Sequence, residues 1–103
     1  MALQSAGSAN SIEPGRVSYV ELAGRRLALC NVGGTIYAID DECTHDYGPL
    51  DQGRLDGCQI ECPRHGARFD VTTGRALTLP AVRPVRTYPV TMEGDDILVE
   101  VPD

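Results

Sequence analysis

This 103-residue chain predicts an all-β fold, a small antiparallel sandwich or barrel. Two observations lead there. Short runs rich in Val, Ile, Leu and Tyr recur along the chain, separated by turn residues at regular intervals. Nowhere does the apolar spacing sustain a helical period. In chain order, Gln4 to Asn10 is small and polar, and its start is expected to be loosely held. Arg16–Leu22 reads as a strand ending at Ala23-Gly24, Arg25–Val32 as its hairpin partner ending at Gly33-Gly34, and Thr35–Asp40 as the next. Asp41 to Arg54 holds Gly48, Pro49 and Gly53 without a period and reads as a long ordered loop. Leu55–Glu61 is a short strand interrupted by Gly57, Cys62 to Gly66 a second loop, and Ala67–Val71 a return strand closed by the Thr73-Gly74 turn. Leu79 to Pro84 is a proline-bearing loop. Val85–Met92 and Asp96–Val101 form a last hairpin around Glu93-Gly94-Asp95.

Composition bounds what such a fold can do. Tryptophan is absent and Phe69 is the only phenylalanine, so the core rests on Val, Leu, Ile, Ala and four tyrosines. A core this small has a thin stability margin, which a bound metal centre would widen because metal binding free energy becomes folding free energy. Nine basic and fifteen acidic side chains give a net charge of −6. Nucleic acid is therefore not an expected partner, since phosphates need clustered cations. The acidity serves solubility, or presents an acidic face to a basic protein partner. No stretch approaches the roughly 20 apolar residues of a membrane helix. Met1 to Asn10 lacks the basic start and apolar run of a secretory signal. A cytoplasmic protein is expected, in which cysteines serve as metal ligands or buried thiols more often than as disulfides.

The chemistry sits in two short motifs. The only two histidines each follow a cysteine closely, in Cys43-Thr44-His45 and Cys62-Pro63-Arg64-His65, with sixteen residues between His45 and Cys62. Both motifs fall on loops that follow strands, so neighbouring loops can bring four ligands to one point. Thiolates and imidazoles together suit an iron–sulfur centre or zinc. In a mixed diiron site the cysteines can hold one iron and the histidines the other. Neutral imidazoles in place of two thiolates remove two negative charges, which eases reduction and raises the potential. Zinc modules usually separate paired ligands by two to four residues, and the single residue between Cys43 and His45 fits that poorly. Cys30, in an apolar strand, reads as a buried thiol, and Cys58 also as a non-ligand. Asp41, Glu42 and Asp46 flank the first motif, as a solvated loop or as a docking fringe. Tyr37 and Tyr88 read as core, and the role of Arg64 stays open.

The pattern C-x-H, sixteen residues, then C-x-x-H resembles the Rieske iron–sulfur proteins, and more closely the small Rieske-type ferredoxins that serve bacterial ring-hydroxylating dioxygenases. The similarity continues through Tyr37-Ala38-Ile39, Cys62-Pro63-Arg64-His65-Gly66, Phe69-Asp70, Thr73-Gly74, Pro80, Tyr88-Pro89-Val90 and Glu93-Gly94-Asp95. It implies a small Rieske-type antiparallel β-sandwich or barrel with a two-loop cluster-binding subdomain. The whole chain, 1–103, would be one domain, with the cluster held by about residues 41–81. It implies one [2Fe–2S] cluster, its inner iron on Cys43 and Cys62 and its outer iron on His45 and His65 near the surface. Pro80 would belong to a third loop covering the cluster, and Gly48 and Gly66 would let backbone amides approach the sulfurs. High-potential members place hydroxyls where this chain has Ala67 and Phe69, which implies a potential near the low end of the Rieske range.

No catalytic group accompanies these motifs, so the resemblance implies an electron carrier rather than an enzyme. It would take single electrons from a flavin-dependent ferredoxin reductase and pass them to a terminal oxygenase carrying a mononuclear iron. The alternatives are the small subunit of a nitrite-reductase-like enzyme and a redox accessory of iron–sulfur cluster assembly.

Overall fold

The computed structural model describes residues 2–44, 48–64 and 66–102. Among the described residues ten strands form three antiparallel sheets. The strands are β1 (Ala2–Ser8), β2 (Val17–Leu22), β3 (Arg25–Val32), β4 (Thr35–Asp40), β5 (Arg54–Asp56), β6 (Gln59–Glu61), β7 (Arg68–Asp70), β8 (Thr87–Tyr88), β9 (Val90–Glu93) and β10 (Asp96–Val101). Their orders are β1-β10-β9, β2-β3-β4-β8 and β5-β6-β7.

The central strand explains how the sheets stack. Residues 27–31 of β3 are all buried, a continuous run rather than the alternation of a strand with one wet face. Successive side chains point to opposite faces. Leu27 and Leu29 accordingly join one core with Ile36, Ala38, Ile97, Val99 and Val101. Ala28 and Cys30 join the other with Ile39, Ile60, Phe69, Cys43 and Cys62. The four-stranded sheet is thus a middle layer. The sheet containing β10 covers one face, and the small β5-β6-β7 sheet with the two cysteines covers the other. The expected all-β sandwich with a two-loop subdomain is what forms.

Three boundaries differ from the sequence reading. Gln4 to Asn10 is not a loose start. Ala2–Ser8 pairs with β10 from Ala2↔Val101 to Ser8↔Asp96, with a bulge between Ser5 and Ser8. The pairing uses backbone groups, which small polar side chains supply as well as apolar ones, and the Ser5 hydroxyl adds a 2.7 Å bond to Asp96 Oδ1. Leu55–Glu61 is a tight hairpin, with β5 and β6 joined through Gly57-Cys58. Val85–Met92 divides at Pro89, β8 pairing with β4 and β9 with β10. Proline has no N–H to give to a ladder, so the chain changes sheets there.

Arg68 fastens the small sheet across its face. Its guanidinium reaches Asp56 Oδ2, Gln59 Oε1 and Glu61 Oε2, each at 3.2 Å.

Candidate metal centre

Cys43 lies just beyond the end of β4, and Cys62 directly follows β6. Their fractional exposures are 0% and 1%, and both pack into the same apolar cluster with Leu50, Ala67, Phe69 and Ala81. No cysteine of the chain is in a disulfide. His45 and His65, expected to complete the ligand set, lie outside the described residues, as do Asp46 and Tyr47.

The first loop is held shut from inside. Asp41, only 2% exposed, turns its carboxylate inward, and its Oδ1 accepts the Asp51 N–H at 2.6 Å. The Asp41 N–H extends the β3–β4 ladder to the Arg26 carbonyl at 3.0 Å. Cys43 N–H donates to the Gly48 carbonyl at 2.8 Å, and Gly53 N–H to the Leu50 carbonyl at 2.9 Å. Burial pushes the Asp41 carboxyl up to about 6, further raised by Asp51 and opposed by the backbone N–H groups of Asp51 and Leu50. Asp41 is therefore neither a solvated loop residue nor a docking fringe. It clasps residues 41 and 51 together.

The second loop is tighter. Cys62 N–H donates to the Ala67 carbonyl at 2.7 Å, and Gly66 N–H donates to the Cys62 carbonyl at 3.0 Å. The N–H of Gly66 itself is thus taken up by the turn. Gly53 fits the two loops together. A Cβ at Gly53 would collide with the Glu61 carbonyl oxygen, one residue before Cys62, so only glycine lets the backbones approach so closely.

The third loop ties in at both ends. Thr78 Oγ1 accepts the Arg68 N–H at 3.0 Å and donates to the Gly66 carbonyl at 3.5 Å. Thr44 Oγ1 donates to the Arg83 carbonyl at 2.7 Å. Between these anchors Ala81 is buried beside the cysteines, while Leu79 and Val82 stand 78% and 75% exposed. The Pro80 loop thus contributes Ala81 to the apolar cluster that contains Cys43 and Cys62.

Other sequence candidates find plain roles. Cys30 is fully buried behind the site, and burial, with the Asp41 charge second, pushes its thiol up to about 12. Such a thiol stays protonated and is a poor ligand. Cys58 sits half-buried at the β5–β6 turn. Tyr37 packs against the cluster-side core. The Tyr88 ring is core, whereas its hydroxyl donates to Asp40 and accepts from Arg25.

The donor chemistry fits an iron–sulfur group. Two thiols arrive on separate, internally braced loops in an apolar surround, and soft thiolate ligands shielded from water suit an iron–sulfur cluster. Among the described residues no three His, Cys, Asp or Glu side chains gather into an alternative metal cage.

Fold and site together define a β-protein built around a two-loop, thiol-bearing metal centre. The profile of the Rieske [2Fe-2S] domain family matches residues 2–89. The naphthalene 1,2-dioxygenase system ferredoxin component of Pseudomonas aeruginosa is 46% identical over 90 residues, covering 87% of this chain and 86% of that protein. The Sphingomonas yanoikuyae B1 ferredoxin superposes with a TM-score of 0.93 at 35% identity, covering 98% of this chain and all of that one. A ferredoxin-like chain also occurs in the complex of reduced oxygenase and oxidized ferredoxin in carbazole 1,9a-dioxygenase, with a TM-score of 0.89, 35% identity, and 94% and 91% coverage. The chain belongs to the Rieske [2Fe–2S] domain family. Its cofactor is a single Rieske-type [2Fe–2S] cluster and its role is electron transfer, not catalysis.

Proposed function

We propose that this chain is the ferredoxin of a multicomponent oxygenase acting on aromatic compounds in the cytoplasm. It takes single electrons from a flavin-dependent ferredoxin reductase and gives them to a terminal oxygenase. The observation that carries this is that two buried thiols, Cys43 and Cys62, share one apolar cluster with Ala81 of the proline-bearing loop. The names borne by its relatives support the same reading. No helix among the described residues is long and apolar enough to cross a membrane.

In this reading Cys43 and Cys62 bind one iron, and His45 and His65 bind the other. The chain acts as one domain, with residues 41–81 as the cluster-holding part. When bound, the cluster supplies reversible one-electron storage. The protein's part is to hold and insulate. The Asp41 clasp and the Gly53 contact fix the loops, and Ala67, Phe69 and Ala81 keep the cysteine side dry. The Thr44 hydroxyl is spent on the Arg83 carbonyl, so it adds no donor to a sulfur.

The experiment is reconstitution. The purified protein should be red-brown, contain about two irons and two sulfides per chain, and give a rhombic electron-spin signal when reduced. Removal of any one of Cys43, His45, Cys62 or His65 should abolish that signal, whereas Cys30→Ala and Cys58→Ala should keep it. The intact protein should restore oxygenase turnover to a mixture of reductase and oxygenase. A colourless protein with stoichiometric zinc would refute the ligand assignment, and turnover that ignores the ferredoxin would refute the relay.

A further inference from the structure

The net charge of −6 suggests a molecule that attracts cationic partners. The distribution of charge around the third loop says otherwise. From Val71 to Met92 there is no Asp or Glu, and there are three arginines, Arg75, Arg83 and Arg86. Arg83 and Arg86 are both exposed, one within the Leu79 to Pro84 loop and one just after it. Neither guanidinium has an ion-pair partner among the described residues, although Arg86 stands over the Tyr88 ring at 5.6 Å. Between them and Pro80 project Leu79 and Val82, the two most exposed large apolar side chains of the described structure. Asp40 and Glu42 share a hollow of about 350 Å³ with Arg83 and Arg86.

The carboxylates nearest the site are largely occupied internally. Asp41 is buried on the Asp51 amide. Asp40 accepts from the Tyr88 hydroxyl. Glu61 and Asp56 pair with Arg68 at 3.2 Å. Much of the remaining negative charge, Glu93, Asp95, Asp96 and Glu100, belongs to the β9–β10 hairpin, whose apolar residues feed the opposite core. The third loop is therefore a cationic stretch within an acidic chain, with Asp40 and Glu42 beside it.

We infer that the face formed by Leu79, Val82, Arg83 and Arg86 is a docking surface for an acidic protein partner, whose carboxylates surround a small apolar recess. This inference deepens the proposed relay and rests on that reading only for the partner's identity. An arginine fork suits carboxylates because its planar donors match two oxygens at once. The apolar pair supplies contact area at the centre, and the cations at the rim supply orientation and on-rate. Short range matters here. At physiological ionic strength the screening length is about 8 Å, so a partner at this face responds most to the charges it touches, Arg83 and Arg86 among them.

The sign of the local charge can be read without any protein partner. Hexacyanoferrate(III) is a small anion that accepts one electron from the reduced cluster, becoming hexacyanoferrate(II) as the cluster is reoxidised. If the exit face is cationic, its second-order rate falls as salt rises, by about tenfold between low and high ionic strength. In Arg83→Gln/Arg86→Gln that dependence should vanish or invert. A control, Asp95→Asn/Asp96→Asn, should leave it unchanged. Binding gives a second readout. Redox-inert hexacyanocobaltate(III) should shift backbone amides of residues 82–87 in the wild type and not in the double arginine variant. A wild-type rate that rises with salt, as the net charge alone dictates, overturns the inference, and so do unshifted amides. Because no reductase or oxygenase is present, either failure leaves the relay standing, and failure of the relay leaves the charge assignment standing.

Discussion

Asp41 is the residue whose removal separates structure from redox chemistry most cleanly. Its carboxylate oxygen accepts the Asp51 N–H from a buried position, so Asp41→Ala would leave that amide unpaired inside the loop. The expected cost is about 2 kcal/mol, with loss of iron and sulfide during purification. Asp41→Asn keeps an oxygen acceptor at the same place and should retain the cluster, which metal analysis and thermal unfolding will check. Ala67 and Phe69 make a second residue-scale prediction. Both are fully buried beside the cysteines and neither offers a hydroxyl. Hydrogen bonds to sulfur stabilise the more negative, reduced cluster, so their absence keeps the potential low, at about −150 mV. Ala67→Ser and Phe69→Tyr should each raise it in protein-film voltammetry, and together raise it further. The Thr44 hydroxyl cannot compensate while it donates to Arg83.

At the scale of elements, the joint between the first loop and β6 is the sensitive one. Gly53→Ala forces a methyl group against the Glu61 carbonyl, and backbone cannot yield as a side chain can. The two loops must part, and with them Cys43 and Cys62. The variant should fold its β2-β3-β4 sheet yet fail to hold two irons, which circular dichroism and iron analysis will distinguish. The hairpin turn between β5 and β6 gives a milder test. Cys58 is partly accessible there, whereas Cys30 is sealed in the core with its thiol held protonated. A maleimide should label the native holoprotein once, at Cys58, and mass spectrometry of the digest will locate it.

The whole molecule is two cores divided by one sheet. Cys43 and Cys62 belong to the core that contains Ile60, Phe69 and Leu50, and the other core is built from Ile97, Val99 and Val101 against Leu27 and Leu29. Metal binding should therefore stabilise the two sides unequally. Stripping the iron with a chelator under reducing conditions should speed amide exchange in residues 54–71 by orders of magnitude. Amides of β3 and β10 should keep most of their protection. Hydrogen-exchange mass spectrometry of the holo and stripped forms will show whether the loss is confined in this way. The same division explains how an acidic protein can carry a cationic third loop, because the carboxylate-rich β9–β10 hairpin belongs to the layer opposite the cysteines.

Much of this architecture was legible in the chain. Apolar, β-branched runs between glycine turns placed β2, β3 and β4 almost to the residue, since turn chemistry is a local property. The Cys43/His45 and Cys62/His65 spacing pointed to the cofactor because soft and borderline ligands rarely cluster without a metal. What stayed hidden depends on partners distant in sequence. Ala2–Ser8 is a strand only because the β10 backbone, at the other end of the chain, offers it a ladder. Asp41 reads as one more surface acid until the 41–51 loop folds back and delivers an amide to it. Gly53 looks like an ordinary turn glycine until Glu61 is seen beside it. The signed face of the third loop follows the same logic, since net charge is a sum over composition whereas a partner meets only the charges that the fold gathers within a screening length. The order of runs and turns determined the class of fold, and the paired Cys and His motifs, through the family they resemble, its cofactor. Backbone pairing, close approach and the sorting of charge between layers were decided only in three dimensions.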